Sequence, residues 1–231
     1  MPPYQHYSFD LWLTLIRSNP AFKAERTKYF HQHLNGGKKS EAEIAAVFRQ
    51  VDLMCNSINE KTGGNIDAEE MYLMVISKIH DYQISLVDID IQGLYTTMEQ
   101  LLMAYIPVVY CEDTAGVLQH LKEQEGTTIS LLSNTGFIKG NTLRKVLNQL
   151  GLDQYLDFQF YSDEEGMSKP NKELYQRMIH KIHHYRGQHL ELSKIIHIGD
   201  NAYADVEGAN AMGIHSLLIN SNHLTIKSLR H

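Results

Sequence analysis

The chain of 231 residues has little of what marks a secreted, membrane-bound or nucleic-acid-binding protein. Its two cysteines, Cys55 and Cys111, show neither metal-ligand spacing nor a disulfide framework, which favours a reducing compartment. Residues 1–6 lack the basic and apolar regions of a signal peptide, and no run of about 18 apolar residues is available to span a membrane. The formal net charge of −6, without a basic run, argues against nucleic acid or anionic lipid as a partner. We therefore expect a cytoplasmic protein.

Apolar runs alternate with amphipathic stretches of helical length in the C-terminal half of the chain. With 43% hydrophobic and 21% charged residues, the composition is that of a globular protein. The predicted strands are 7–11, 128–132, 158–161, 195–198 and 215–219. Capping sequences open two intervening helices, at Glu112-Asp113-Thr114 and at Asn171-Lys172-Glu173. This rhythm predicts an α/β fold with a parallel sheet and right-handed crossovers.

Residues 19–106 lack this rhythm and form a predicted all-helical insertion. The helices expected there cover 21–34, 40–58, 68–82 and 88–105. They are broken at Asn35-Gly36-Gly37 and at Thr62-Gly63-Gly64-Asn65. The α/β core would then consist of 1–18 and 107–231, with hinges near 17–20 and 106–110. A helical extension packed permanently on the sheet is the alternative.

Four short segments place polar residues at or just beyond predicted strand ends. They are Asp10-Leu11-Trp12-Leu13-Thr14, Leu132-Ser133-Asn134-Thr135, Ser168-Lys169-Pro170 and Gly199-Asp200-Asn201 followed by Asp205. In α/β sheets, ligands bind beyond the carboxyl ends of the strands. A carboxylate is costly to bury there alone, and the chain offers a hydroxyl, a lysine and two more carboxylates at equivalent places. Together the segments indicate a phosphate and metal site.

The order and local patterns of these segments resemble the haloacid dehalogenase-like (HAD) hydrolase superfamily. Its members share an aspartate nucleophile, a Ser or Thr, a Lys and an acidic metal-binding motif, and here Gly199-Asp200-Asn201-x-x-x-Asp205-x-x-Gly208-Ala209 is intact. The resemblance covers essentially the whole chain. It implies a Rossmann-like three-layer core, and a helical cap over 19–106 that closes over the active site.

The carboxylates of the set suggest a nucleophile and a Mg²⁺ site. Asp10 can attack phosphorus and form an aspartyl-phosphate that water then hydrolyses. Because Mg²⁺ prefers hard oxygen ligands, Asp200 and Asp10 are the expected ligands, and the family pattern adds the backbone carbonyl of Trp12. Thr14, Asn201 and Asp205 are expected around them: Thr14 bonds within the turn after Asp10, and the other two hold the ion through water, orient Asp200, or merely cap a helix.

Lys169, Ser133 and Asn134 are the expected phosphate-binding residues. Lys169 can neutralise Asp10 and the phosphoryl oxygens, which also makes it a catalytic candidate. Ser133 can donate its hydroxyl to a phosphate oxygen, with the backbone amides of Asn134 and Thr135 assisting at a helix start. Taken alone, Ser133-Asn134 is an ordinary turn.

One position departs from the phosphatases of the family. They carry a second aspartate two residues after the nucleophile, which protonates the leaving oxygen, but this chain has Trp12 there. General acid catalysis contributes about 10²–10⁴-fold, so its loss should slow the hydrolysis of alkyl phosphates most. Acyl phosphates, aryl phosphates and anhydrides, whose leaving groups are stable anions, should suffer least.

Three interpretations fit this departure. The first is a Mg²⁺-dependent phosphatase of a small phosphorylated metabolite, with a good leaving group or with an acid from the cap, His31 and His33 being candidates. The second is a dehalogenase-type carbon–halogen hydrolase, because halide needs no proton. The third is a binding or regulatory protein that keeps the fold without turnover. The protein would be a monomer or a homodimer, since the apolar segment 71–76 suits the cap core or a dimer face.

Overall fold

The structure, a computed structural model, describes residues 4–36 and 38–230. Residues 1–3 and 231 of the predicted core, and Gly37 of the predicted loop, lie outside the described residues. The strands are β1 (His6–Phe9), β2 (Ile16–Arg17), β3 (Val108–Val109), β4 (Thr128–Ser133), β5 (Phe158–Tyr161), β6 (Ile195–Gly199) and β7 (His215–Leu218). Five of them form one sheet in the order β5-β4-β1-β6-β7, with every neighbouring pair parallel. The predicted parallel sheet is therefore confirmed.

Strand register brings three chain segments to one edge of this sheet. Phe9 at the end of β1 is the register partner of Leu131 in β4 and of Ile198 in β6. Strand β1 thus lies between β4 and β6, and all three run in the same direction. Because parallel strands end at the same edge, the loops that follow them lie side by side.

Helices cover both faces of the sheet. In chain order the helices are α1 (Pro20–His33), α2 (Glu41–Thr62), α3 (Ala68–Ile79), α4 (Ile91–Ala104), α5 (Thr114–Lys122), α6 (Gly140–Gln149), α7 (Ser162–Glu165), α8 (Lys172–Arg186) and α9 (Gly208–Asn210). Buried side chains of α5 and α6 pack on one face of the sheet, and those of α8 and α9 pack on the other. This is the expected three-layer, Rossmann-like α/β core. None of the helices within the described residues has the length and apolarity needed to cross a membrane.

Helices α1 to α4 surround a hydrophobic cluster of their own. Helix α2 begins at a capping box formed by Ser40 and Glu43, and it ends at Thr62, one turn beyond the prediction, before Gly63 at a φ of +72°. The buried residues of the apolar segment 71–76 are Met71, Tyr72, Val75 and Ile76, all in this cluster. That segment therefore packs inside the helical unit, as the interpretation of it as cap core expects.

The two connections between the helical unit and the sheet are paired with each other. Strand β2 pairs with β3 in an antiparallel ribbon, with Ile16 opposite Val109 and Arg17 opposite Val108. Sequence patterns did not predict this ribbon, which occupies the segments expected to be hinges. It holds the two ends of the helical unit together beside the carboxyl edge of the main sheet.

Candidate active site

Asp10 follows β1 directly and is fixed by a tight turn. Its amide donates to the carbonyl of Ile198 at 2.8 Å, which extends the sheet ladder by one residue. The hydroxyl of Thr14 donates to Oδ2 of Asp10 at 2.9 Å. Leu13 adopts a φ of +59° in this turn, and the side-chain amide of Asn220 donates to its carbonyl at 2.8 Å. The turn holds a buried carboxylate at the end of the central strand.

Lys169 is buried and pairs with two carboxylates. Its Nζ donates to Oδ1 of Asp10 and to Oδ1 of Asp205, at 2.7 Å in both cases. The side chain of Asn134 holds the lysine backbone from both sides, since Oδ1 accepts from the Lys169 amide at 2.7 Å and Nδ2 donates to its carbonyl at 3.0 Å. Asn134, which follows β4, thus fixes the backbone of Lys169, which follows β5, beside Asp10.

Asp205 accepts hydrogen bonds on both carboxylate oxygens. Besides Lys169, Oδ1 receives Nε2 of His197 at 3.1 Å, and Oδ2 receives the amide of Asn201 at 2.9 Å. Asn201 in turn caps the following helical turn, because its Oδ1 accepts from the amides of Tyr203 and Ala204. Its contact with the lysine adds to the roles expected from the sequence, which were to hold the metal through water, to orient Asp200 or to cap a helix.

Among the described residues, three carboxylates gather beside one lysine, Lys169. Oxygens of Asp10, Asp200 and Asp205 lie within 4.8 Å of one another. Burial raises the pKa of Asp10 to about 6, against the opposing charge of Lys169. Burial, together with the charges of Asp10 and Asp205, raises the pKa of Asp200 to about 7. Burial also disfavours the charged form of Asp205, but Lys169 and His197 outweigh it and lower its pKa.

This charge distribution fits a divalent cation. Lys169 is shared between Asp10 and Asp205, and Asp205 has two further donors, so the negative charge left without a cation falls mainly on Asp200 and partly on Asp10. Hard carboxylate oxygens with surplus negative charge are the donor set that Mg²⁺ selects. Trp12, whose backbone carbonyl is the third expected ligand, lies two residues after Asp10 and is half-buried. Its backbone forms an isolated β-bridge with Ile16.

The region after Ser133 differs from the prediction. Ser133 is buried at the end of β4, and its hydroxyl donates to the carbonyl of Asn134 at 3.1 Å. The amide of Thr135 donates to Oγ of Ser162, so the expected phosphate-binding role of this amide is not available in the present arrangement. The expected helix start at 134–135 is wrong, because α6 begins at Gly140. Tertiary contacts draw the intervening loop away from helical geometry, with Phe137 inserted into the cluster of the helical unit.

The C-terminal end of α2 and the loop that follows it bind the core segments that carry Lys169 and Asp200. The carbonyl of Gly63 accepts from the amide of Ser168 at 3.1 Å and from Nδ2 of Asn171 at 3.0 Å. Oε1 of Glu60 accepts from Nδ2 of Asn201 at 2.9 Å. Sequence reasoning recognised a loop at Gly63 but not its contact with the core. The helical unit therefore touches both walls of the Asp10 site.

The two histidines proposed as acids lie elsewhere. Nδ1 of His31 is 3.9 Å from a carboxylate oxygen of Glu41, and the ring of His33 packs at a tilt against that of Tyr29, with their centroids 4.6 Å apart. These contacts are all within the helical unit. Among the described residues, the structure does not bring either histidine into contact with the Asp10 cluster.

A family comparison identifies the class of protein to which this fold and site belong. The model of a family described as haloacid dehalogenase-like hydrolase matches residues 7–213. The match spans all four motif segments and the helical unit. The chain belongs to this hydrolase family, as the resemblance of its motifs predicted.

Individual relatives include both curated proteins and solved structures. The chain is 28% identical over 132 residues to human haloacid dehalogenase-like hydrolase domain-containing protein 3, in a match that covers 56% of this chain and 49% of that protein. It is 25% identical to ribulose-1,5-bisphosphate 5-phosphatase of Halopiger xanaduensis, over 91% of this chain and 82% of that enzyme. The solved HAD-hydrolase YfnB of Bacillus subtilis, bound to magnesium, superposes with a TM-score of 0.72 at 18% identity, over 96% and 91% of the two chains. This last similarity is one of fold.

Proposed function

We propose that this hydrolase is a Mg²⁺-dependent phosphatase of a small phosphorylated metabolite, with Asp10 as the nucleophile. The observation that carries the proposal is the buried Asp10 carboxylate, bonded to Lys169 at 2.7 Å and clustered with Asp200. A carboxylate that is held beside a lysine and a second, uncompensated carboxylate matches the needs of phosphoryl transfer, where negative charge accumulates on the transferred group. The phosphatase relative from Halopiger supports this substrate class.

Asp10, Asp200 and the backbone carbonyl of Trp12 would hold the Mg²⁺ ion. Bound there, the ion would supply positive charge to the phosphoryl oxygens and to the two carboxylates. The protein's own cation, Lys169, neutralises the remaining charge and keeps Asp10 oriented through their hydrogen bond. Ser133 would turn its hydroxyl from the carbonyl of Asn134 toward a phosphate oxygen when substrate binds.

The reaction would run in two displacements at phosphorus. An oxygen of Asp10 attacks the phosphorus atom, the bond from phosphorus to the leaving oxygen breaks, and that oxygen departs with the electron pair. Water then attacks the phosphorus of the aspartyl-phosphate, which releases inorganic phosphate and restores the Asp10 carboxylate. Thr14, which donates to Oδ2 of Asp10 at 2.9 Å, limits rotation of the nucleophile between the two steps.

We further propose that residues 19–106 act as a cap and that the core consists of 1–18 and 107–231. Two features support this division: the separate hydrophobic cluster of the helical unit and the paired strands β2 and β3 at its base. The contacts of Glu60 and Gly63 with the core lie beside the reaction centre. Residues at the end of α2 and in the loop that follows it would thus be placed to contact the leaving group and to select substrate.

Trp12 favours substrates with good leaving groups. The indole cannot protonate a departing alkoxide, and His31 and His33 have their contacts within the helical unit. Acyl and aryl phosphates leave without a proton and should be the better substrates. The same absence of an acid favours carbon–halogen hydrolysis as a second candidate, but halide displacement has no use for the uncompensated Asp200.

The proposal is tested by measuring whether the release of phosphate depends on Mg²⁺. Turnover of para-nitrophenyl phosphate and acetyl phosphate is measured with Mg²⁺ and with EDTA, and chloride release is measured from 2-chloropropionate. The proposal expects phosphate release that EDTA abolishes. Chloride release that is insensitive to EDTA would assign the dehalogenase activity, and no turnover in any assay would support the binding or regulatory interpretation.

A further inference from the structure

Ser8 and His197 form a buried polar pair beneath the site, and the roles given above do not use them. They are register partners on the parallel strands β1 and β6, and neither is exposed to solvent. Oγ of Ser8 lies 2.9 Å from Nδ1 of His197. On their face of the sheet they pack against α8, where Oγ of Ser8 lies 3.0 Å from the sulfur of Met178 and the ring of Tyr175 contacts the imidazole. A polar pair in such surroundings is costly unless its hydrogen bonds are made.

The other edge of the imidazole determines which ring nitrogen carries the proton. Nε2 of His197 lies 3.1 Å from Oδ1 of Asp205, and because a carboxylate only accepts, Nε2 carries the hydrogen. Burial lowers the pKa of His197, so the ring is neutral and Nδ1 is an acceptor. The single hydroxyl proton of Ser8 therefore goes to Nδ1, which is a better acceptor than the thioether of Met178 at 3.0 Å. Ser8 and Asp205 together select one tautomer.

Asp205 is the residue on which these hydrogen bonds converge. Its Oδ1 accepts from both His197 and Lys169, and its Oδ2 accepts from the amide of Asn201. The carboxylate also packs against the end of β6, where a Cβ on Gly199 would lie 2.1 Å from Oδ2. Donors on both oxygens and contact with the strand end leave Asp205 a single orientation, and Lys169 is held with it.

We propose that Ser8 and His197 are positioning residues, which hold Asp205 so that its carboxylate places the Lys169 ammonium against Asp10. The hydrogen bonds run from Ser8 through His197, Asp205 and Lys169 to Asp10, and the backbone between Ser8 and Asp10 closes the circuit. The kinetic consequences rest on the proposed phosphatase function. A displaced lysine would lose charge stabilisation in the transition state more than it would weaken substrate binding.

Three variants separate positioning from packing in assays with acetyl phosphate and Mg²⁺. His197→Phe keeps a ring against Tyr175, whose ring contacts the imidazole at 5.5 Å, but removes both nitrogens. We expect kcat to fall about 10–100-fold, the usual range for losing a supporting partner, with little change in KM. His197→Gln, whose amide nitrogen can donate in place of Nε2, should recover most of that loss. Ser8→Ala should lower kcat by about threefold to tenfold, the value of one hydrogen bond.

His6 provides the matched control. It is also a fully buried histidine, two residues before Ser8 on β1, and its nitrogens bond Thr128 and Ser130 at 2.8 Å each. His6→Phe should lower the unfolding midpoint without lowering kcat. If His197→Phe lowers kcat no more than His6→Phe does, or if His197→Gln recovers nothing, the role of His197 is structural and the inference is wrong.

A readout that needs no turnover keeps this inference separate from the proposed function. In ¹⁵N NMR of the 231-residue chain with labelled histidine, the His197 signals are identified by their loss in His197→Gln. We expect a neutral ring protonated at Nε2. A ring protonated at Nδ1, or at both nitrogens, would overturn the inference whether or not the enzyme hydrolyses phosphates. The expected tautomer in a protein without phosphatase activity would uphold the hydrogen-bond circuit and reject the proposed function alone.

Discussion

Asp10 and Lys169 lie 159 residues apart in the sequence, yet Nζ of Lys169 donates a hydrogen bond of 2.7 Å to Oδ1 of Asp10. The sheet order produces this contact, because β4 lies beside β1 and Asn134, at the end of β4, binds the backbone of Lys169. Both side chains are almost inaccessible to solvent. A buried carboxylate is thereby kept next to a cation before any substrate arrives, which is the preorganisation that charge-stabilised catalysis needs.

Replacing the proposed nucleophile, Asp10, should remove activity and leave the fold. Asp10→Asn can still accept from Thr14 but cannot form an aspartyl-phosphate, so we expect turnover of acetyl phosphate to fall by about 10³-fold or more. Asp157→Asn is the matched control, because Asp157 also has 9% side-chain exposure and pairs with a lysine, Lys122, but lies at the opposite edge of the sheet. Circular dichroism verifies the fold of both variants. Retained turnover in Asp10→Asn would remove the nucleophile assignment.

Supplying an acid at position 12 should change the substrate preference. Trp12→Asp would place a carboxyl group where the leaving oxygen departs, and general acid catalysis is worth about 10²–10⁴-fold for poor leaving groups. We expect kcat/KM to rise for alkyl phosphates and to change much less for aryl phosphates. Trp12→Asn, which has the same shape without acidity, is the control. Equal changes with both substrates, or equal effects of Asp and Asn, would show that Trp12 acts through its shape.

The turn after Asp10 contains strain that glycine should relieve. Leu13 has a φ of +59° and is 51% exposed, so its side chain gains little from burial. The left-handed conformation costs a non-glycine residue roughly 1–2 kcal/mol, which Leu13→Gly would relieve. Part of this stabilisation is offset because glycine gives the unfolded chain more conformational freedom. We expect a net stabilisation of about 0.5–1 kcal/mol, measured by urea unfolding. Leu53→Gly, equally exposed at 51% but inside helix α2, should instead destabilise by about 1 kcal/mol.

His6 should make stability depend on pH. Burial, reinforced by the nearby charge of Arg186, lowers the pKa of His6 to about 3, whereas an unfolded histidine has a pKa of about 6.5. Between these values the unfolded chain binds a proton that the folded chain does not, so stability is full above pH 6.5 and falls as the pH drops toward 3. The expected slope from this site is about 1.4 kcal/mol per pH unit.

His6→Gln removes the group that binds this proton in the unfolded chain. The free energy of unfolding should then depend less steeply on pH. Urea unfolding at several pH values from 4 to 7 compares the two proteins, and only the difference in slope is used, because other groups titrate in both. The wild type should lose stability more steeply on acidification. Parallel curves would mean that His6 is equally protonated in the folded and unfolded states.

Long apolar runs made the sheet predictable, and tertiary contacts account for what was missed. The predicted strand 7–11 is observed as His6–Phe9, since Asp10 opens the turn that contains Leu13. The start of α6 was misplaced because Thr135 and Phe137 make contacts with residues distant in sequence. The two-residue strands β2 and β3 are too short to show any periodicity.

The acidic and basic motif residues of the site were predictable, but their supports were not. Asp10 and Asp200 directly follow β1 and β6, whereas Lys169 lies beyond β5 and the short helix α7, and the structure brings the three together. Ser8 and His197 lie within strands and outside the four motif segments, so no motif marks them. The usable signal was a polar residue in each of two apolar strands, but pairing them requires the register of β1 and β6.

The most direct test of the central claim is to identify the phosphorylated residue. The enzyme is mixed with acetyl phosphate and Mg²⁺, quenched with acid and reduced with borohydride, which converts an aspartyl-phosphate to homoserine, and its peptides are sequenced by mass spectrometry. We predict homoserine at position 10 in the wild type and none in the sample prepared with EDTA. Metal-dependent phosphate release with modification at another residue, or with none, would contradict the assignment of Asp10 as the nucleophile.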